Sequence, residues 1–416
     1  MSSLVSASTE RNQDAPAARP LLTIAIPTYN RAAYLDRSFE HHLTAFNAAG
    51  IDFEIFVSDD CSPDNTAEIV AKWSERDRRV RAVRHSENLG PYGNFLHCCR
   101  QARGEFIVWV GDDDLLIPEA VLAHVERLKS DADIVMIQCP WILIDEVHDN
   151  REIGLFYRHD QDELFDVGEH KRCLDFLLNH HVFPEWFILR RDAAEQIVEM
   201  GTIHVYHYFA HLARALNHGK VLFSTRPYAR VTAISKGDNA HTGNSLTMTG
   251  WDHYRGGIEY MASFANSDEG AGFSDDLLRR ITDFTLTRMR VAVRLHVQSQ
   301  NWGLAYHLDR RLRAYGQGAL DEEVRPVVAG LAALEALVTE AEAQRRNLIV
   351  LDDIVTDQTI ESLNAHARSR IIRRRDPRSQ SPWPKAFALV SPVPDHIKGP
   401  NDIVLDLGAA FRRFPA

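Results

Sequence analysis

The stretch EFIVWVGDDDLLIPEAV, residues 105–121, carries an apolar run from Phe106 to Val110 straight into three adjacent acids, Asp112, Asp113 and Asp114. Neighbouring carboxylates repel one another, and the usual remedies are water, a basic group or a metal ion. A solvated turn would do no chemistry, whereas a bound cation would act as a Lewis acid. A second acidic pair, Asp59-Asp60, closes the apolar run FEIFV. One Asp there would serve as a turn or cap residue, and two are more than a cap needs.

The elements that must position these acids follow from the apolar pattern. LLTIAI is a run of β-formers ending at Pro27 and a polar turn, which reads as a buried strand. RAAYLDRSFEHHLTAF repeats Leu35, Phe39, Leu43 and Phe46 at helical spacing. A second strand, an acidic turn and a helix entered near Asn65 or Thr66 follow, then a short strand VRAVRHS, a helix stopped at Gly104, and the strand of the opening stretch. A helix near 118–129 precedes another strand in ADIVMIQCPWILID, and HVFPEWFILRRDAAEQIVEMG and HYFAHLARALNHGKVLFS read as strand–helix and helix–strand. This alternation predicts an α/β fold with a largely parallel sheet flanked by helices. Ligands in such sheets bind beyond the carboxyl ends of the strands. The turns 27–31, 59–64 and 111–114 all lie at such ends and should meet at one crevice.

The rest of the chain divides by pattern. Residues 1–19 are polar and rich in Ser and Ala and read as a disordered lead, and 235–256 is a polar stretch long enough for a mobile lid. A domain at 20–256 is expected to be followed by a helical segment at 257–345 and a small C-terminal α/β module at 346–416, interrupted by the linker-like RDPRSQSPWPKA. The echo of NLIVLD at 347–352 in NDIVLD at 401–406 is short enough for chance.

With 416 residues, 45% hydrophobic and 25% charged, the composition is that of a globular protein with two or three domains. A net charge of −11 argues against a nucleic-acid partner and requires a metal or local Arg and Lys for any anionic substrate. No apolar run reaches the roughly 20 residues that span a bilayer, and no secretory signal is evident at the N-terminus. A cytoplasmic protein is expected. The five cysteines, with no CxxC pair, read as reduced buried thiols.

IPTYNRAAYL, FVSDDCSPDNT, NLGPYGNFLHCCRQARGEFI and VGDDDLLIP, in this order and at these intervals, resemble a family 2 glycosyltransferase of the GT-A fold over roughly residues 20–232. The resemblance implies a nucleotide-sugar donor, most often a UDP- or dTDP-sugar, with Pro27, Thr28 and Tyr29 bordering the base. It assigns Asp60 to the ring N–H of uracil or thymine, a donor that a carboxylate would meet, and Arg31, Asp59, Asn88, Gly90 and Asp112 to the same nucleotide. The acidic turn falls on the family's D-x-D motif, which implies a Mg²⁺ or Mn²⁺ ion on the diphosphate. The usual first Asp is replaced by Gly111, leaving Asp113 as first ligand and Asp112 and Asp114 as alternatives for the second.

Members of this family usually offer an Asp from a Glu-Asp pair as general base. His207-Tyr208 stand at that place here, so His207 is one candidate base and Glu185 in FPEWFILRR the other. Trp186 beside it could stack on a sugar ring. Arg230, after a strand, would face the diphosphate, and His241 or His253 would complete the metal shell. The Q-x-x-R-W motif of processive synthases is missing, so one sugar per encounter is implied, moved to a hydroxyl of a glycan, lipid-linked or protein acceptor. Peripheral association with the inner face of the membrane and a homodimer stay open. The alternatives are a sugar nucleotidyltransferase, disfavoured because PTYNRAAYL has no Gly and a single Arg, and a non-catalytic nucleotide- or glycan-binding module.

Overall fold

The computed structural model describes residues 19–198, 206–234, 249–265, 272–343, 348–351, 355–374, 388–390 and 403–415. The lead at 1–18, most of the stretch read as a lid, and the linker-like segment at 375–386 lie outside these residues. The chain forms two compact units, one of Met1–Asn239 with Gly256–Phe273, the other of Ala240–Arg255 with Ser274–Ala416.

The first unit is α/β. Strands β1 (Leu22–Thr28), β2 (Phe53–Asp59), β3 (Val80–Arg84) and β4 (Phe106–Trp109) pair in parallel, in the order β3-β2-β1-β4. Helices α1 (Ala32–Ala48), α2 (Thr66–Arg76) and α3 (Gly90–Gln101) connect them, as the alternating pattern requires. All four apolar repeat positions of α1, Leu35, Phe39, Leu43 and Phe46, are buried. Beyond β4 the sheet is mixed. It continues with β10 (Phe187–Arg190), antiparallel to both neighbours, then β6 (Ile134–Gln138), β11 (Lys220–Phe223) and β9 (Glu163–Phe165).

A second sheet, in the order β5-β12-β7-β8, joins β5 (Leu115–Leu116), β12 (Ala229–Ile234), β7 (Ile142–Asp145) and β8 (Arg151–Leu155). ADIVMIQCPWILID, read as one strand, is therefore two, β6 and β7 in different sheets. The break falls at Pro140, which has no N–H for a ladder. Helix α4 (Pro118–Ser130) begins at proline, whose missing N–H costs nothing in the first turn. Helices α5 (His170–His180), α6 (Arg191–Ile197) and α7 (His207–His218) complete the elements used below.

In the second unit, helices Trp302–Ala314 and Val324–Ala343 share one apolar core with Val390, Leu405 and Ala410 of the C-terminal segments. The echoed apolar triplets are both strands of one parallel sheet there, Leu348–Leu351 and Ile403–Leu405, each beside Ala388–Val390. Among the described residues no helix is long and apolar enough to cross a membrane. All five cysteines are free, four of them buried.

Candidate functional site

The turns after β1 and β2 are held to one another by side chains. Ser62 Oγ accepts from Asn30 N at 2.9 Å, Thr66 Oγ1 from Arg31 N at 3.3 Å, and Asp64 Oδ2 from Ala32 N at 3.1 Å. Asp64 thereby caps α1 from a different part of the chain, while its Oδ1 accepts from Thr66 N at 3.1 Å in the first turn of α2. Asn30 and Cys61 take left-handed backbone conformations, φ 57° and 62°, which let both turns fold back. Asn94 of α3 is buried and donates to the carbonyls of Thr28 (3.3 Å) and Ser58 (2.9 Å), tying the two strand ends together.

Asp59 and Asp60 divide the work. Asp59 accepts from Ser62 N at 2.9 Å and stands 3.5 Å from Arg84 Nε, holding its own turn. Asp60 accepts from Leu89 N at 2.6 Å, which brings the segment before α3 onto the same edge. There Asn88 Oδ1 accepts from Gly90 N at 2.8 Å, and Gly90 sits at φ 76°, a conformation costly for any other residue. Tyr29 is half exposed on the β1 turn.

The acidic turn meets these loops from β4. Thr28 Oγ1 donates to Asp112 Oδ2 at 2.8 Å, and Arg31 Nε lies 3.9 Å from Asp112 Oδ1. Burial, with the neighbouring Asp113 charge, still raises the Asp112 carboxyl to about 7 against the pull of Arg31 and Thr28. Asp114 is also raised well above the carboxylate range, first by burial and then by Asp113. Its Oδ1 accepts from Thr232 N of β12 at 2.9 Å, so it faces the second sheet. A Cβ on Gly111 would fall 2.6 Å from Asp114 Oδ2 and 3.3 Å from Asp113 Oδ1. The glycine that stands where an acid was expected makes room for the Asp114 carboxylate.

Three side chains of α1 support this turn from behind. Arg37 donates to the Asp113 carbonyl at 3.1 Å and pairs with the buried Glu146 at 2.6 Å. His41 Nε2 donates to Leu116 O at 2.9 Å, and His42 Nε2 accepts from Leu116 N at 3.2 Å. His42 must be neutral to accept, and burial lowers its pKa to about 3.

A different surface adjoins it. Trp109 Nε1 of β4 donates to Glu185 O at 2.8 Å, and the β4–β10 register, carried three residues further, brings Glu185 level with Gly111. The Tyr206 hydroxyl donates to Glu185 Oε1. Trp186 is 2% exposed and stacked on Trp109 with ring centroids 5.0 Å apart. It belongs to the core and offers no face to a sugar, which corrects the sequence reading; an aromatic residue next to an acid looks the same in a cleft or a core. His207 opens α7 among the rings of Tyr92 (4.4 Å) and Tyr208 (4.1 Å), and burial lowers its pKa to about 3.

The family described as "glycosyl transferase family 2" matches residues 23–198, the span from β1 through α6 that holds the turns after β1, β2 and β4. The chain carries a family 2 glycosyl transferase domain. Relatives include abequosyltransferase RfbV of Salmonella typhimurium, 34% identical over 119 residues, covering 28% of this chain and 35% of that protein. Another is the GalNAc(5)-diNAcBac-PP-undecaprenol beta-1,3-glucosyltransferase of Campylobacter jejuni, 34% identical over 109 residues, covering 26% and 34%. The matches span about a third of the length of these curated relatives. Among solved structures, S. aureus TarS 1-349 in complex with UDP-GlcNAc aligns with TM-score 0.44 and 17% identity over 75% of this chain and 87% of that one.

Within the family 2 domain, Pro27, Thr28, Tyr29, Arg31, Asp59, Asp60, Asn88, Gly90 and Asp112 lie on the strand ends, turns and helix start that these hydrogen bonds bring to one end of the sheet. Asp113 and Asp114 share the turn with Asp112, though no group of three or more His, Cys, Asp or Glu side chains among the described residues is arranged to hold a metal by itself. Arg230 of β12 pairs with Glu152 of β8 at 3.2 Å. His241 lies outside the described residues, and His253 belongs to the second unit. Arg37, His41, His42 and Asn94 escaped the sequence reading, because each acts on a backbone group far away in the chain.

Proposed function

We propose that the protein transfers a single sugar from a nucleotide-sugar donor, a UDP- or dTDP-sugar, to a hydroxyl of an acceptor glycan. The observation that carries this reading is the Thr28–Asp112 hydrogen bond, which joins the nucleotide-side turn of β1 to the acidic turn of β4 inside a family 2 domain. Asp60 would accept from the ring N–H of the base, and Tyr29 would flank it. Arg31 beside Asp112 would favour the diphosphate.

The acidic turn fits a divalent cation. It is a set of hard oxygen donors in which burial first, and the neighbouring Asp113 charge second, hold the Asp112 and Asp114 carboxyls far above their ordinary values against the pull of Arg31 and Arg37, and Mg²⁺ or Mn²⁺ needs only one or two carboxylates when a diphosphate supplies further oxygens. Asp113, with Asp112 or Asp114, would hold it. Bound there, the ion would supply Lewis-acid neutralisation of the departing diphosphate. Glu185 is the better base: its carbonyl accepts from Trp109, at the end of the strand that leads into the acidic turn, and its carboxylate is oriented by the Tyr206 hydroxyl. The acceptor oxygen would attack the anomeric carbon, the bond to diphosphate would break, and the hydroxyl proton would pass to Glu185. One such displacement inverts the anomeric centre. His207, with a pKa near 3, would be a weak base at neutral pH.

The name of the Campylobacter jejuni relative, a glucosyltransferase on a PP-undecaprenol-linked glycan, supports a lipid-linked acceptor. A second reading, a nucleotide-binding module without transfer, draws on His207-Tyr208 replacing the expected acid pair. Thermal melting against UDP-, dTDP- and GDP-sugars, with and without Mn²⁺, tests the donor site, because a ligand bound only by the native state raises the midpoint. A metal-dependent shift lost in Asp113→Ala is expected. Absence of any shift would overturn the donor reading, and a shift without donor hydrolysis or transfer would favour the binding module.

A further inference from the structure

The opposite end of the same sheet carries a basic cavity that the transfer reading does not use. Six arginines line it: Arg19 before β1, Arg78, Arg79 and Arg81 around the start of β3, Arg103 before β4, and Arg191 at the start of α6. Its volume is about 460 Å³. It lies beside the first residues of β1 and β2, while Thr28 and Asp59 end those strands. Seven-residue strands separate the two ends by roughly 20 Å.

The floor is built by hydrogen bonds. Glu54 is buried and accepts from Thr23 Oγ1, Arg103 N and Arg81, each at 2.8 Å, fixing three segments around one carboxylate. Arg79 pairs with Asp77 at 2.5 Å, and lies over the Phe53 ring. Arg81 and Arg79 are thus neutralised. Among the described residues, Arg19, Arg78, Arg103 and Arg191 have no carboxylate within ion-pair distance, and Arg191 Nε is buried without a hydrogen-bond partner. Asp52 is the remaining acid in the lining. Four guanidiniums against one carboxylate make a concavity of positive potential on a chain of net charge −11. Guanidinium forks match phosphate oxygens in charge and geometry.

We infer that this cavity binds a phosphate-bearing anion, either a soluble phosphate or the phosphodiester headgroup of an anionic lipid, independently of the donor site. Binding of inorganic pyrophosphate is measured by calorimetry in excess chelator, so that no metal-dependent donor binding contributes. Co-flotation with phosphatidylglycerol-containing vesicles, against vesicles of phosphatidylcholine alone, reads the lipid source. Pyrophosphate should bind the wild type and Asp113→Ala equally, and at least tenfold more weakly in Arg78→Ala/Arg103→Ala/Arg191→Ala with an unchanged melting midpoint. If that variant unfolds, Arg78→Ala/Arg103→Ala, which touches two exposed side chains, replaces it. Flotation of the wild type with phosphatidylglycerol, lost in the variant, identifies a lipid headgroup; pyrophosphate binding without flotation identifies a soluble phosphate. No binding of either, or equal binding by wild type and variant, overturns the inference. Failure of the donor site leaves the pyrophosphate result untouched, so the two readings fail separately.

Discussion

At the carboxyl ends of β1, β2 and β4 the backbone is held by side-chain hydrogen bonds, whereas around Glu185 and α7 it is held by rings. On the first side Ser62, Asp64, Thr66, Asp60 and Asn94 each fix a main-chain group of another segment. On the second, Trp109, Trp186, Tyr208 and His207 stack or lean on one another, and the Tyr206–Glu185 hydrogen bond is set among them. A hydrogen-bonded frame presents fixed polar atoms to a ligand that must be held in one pose. An aromatic wall fixes the position of the one hydrogen-bonded carboxylate set in it, that of Glu185. The difference suits a constant nucleotide on one side and proton transfer on the other.

The sharpest way to break this comparison is to remove its charges one at a time. Asp113→Ala is expected to abolish the metal-dependent donor shift and to lower transfer by roughly 10³-fold, the size of a lost cation contribution of several kcal/mol. Glu185→Gln should keep the donor shift and lower kcat by about 10²- to 10³-fold, as loss of a general base does. Under the same assay His207→Ala should change kcat less than about tenfold, because a base with a pKa near 3 contributes little at neutral pH. Equal losses in Glu185→Gln and His207→Ala would sink the assignment of the base.

How much of this was legible in the sequence follows from the same contrast. The strands, the acidic turns and their meeting at one end of the sheet could be read, because β-runs ending in Asp pairs are local signals. Asn94, His41 and His42 could not, since their partners are the backbone of Thr28, Ser58 and Leu116, 36 to 75 positions away. The mixed half of the sheet was harder too. β10 inserts between β4 and β6 from far along the chain, and β9 has three residues, too few to show an alternating pattern. Trp186 failed for the reason that governs the whole ring side: burial of an aromatic residue is decided by tertiary neighbours.

Gly111 tests the frame at its tightest point. Gly111→Ala should force the Asp114 carboxylate away from Thr232 N, costing about 1–3 kcal/mol as overpacking does. Chemical denaturation measures the loss. A variant as stable as wild type, with the donor shift intact, would mean that Asp114 moves freely and that the missing first acid has no steric cause.

A pH-dependent effect concerns His42, which supports the acidic turn only as a neutral acceptor for Leu116 N. Its folded pKa, about 3, lies below the ordinary value of 6.5, so the unfolded chain binds the proton first. Its contribution to stability is therefore complete above pH 6.5 and is lost as pH falls from there toward 3, by about 1.4 kcal/mol per pH unit. Asp112 works in the opposite sense, since a folded value raised to about 7 stabilises the protein at low pH and loses that contribution as pH rises through 7. The Asp112 contribution is common to wild type and His42→Gln and cancels in their difference. Gln can offer Leu116 N an oxygen without titrating, so the stability of wild type minus His42→Gln should fall with that slope between pH 6.5 and about 4. Denaturation of both proteins across this range, in chelator, gives the slope. A flat difference would mean that the ring takes up a proton without losing Leu116, and that the turn does not depend on His42 being neutral.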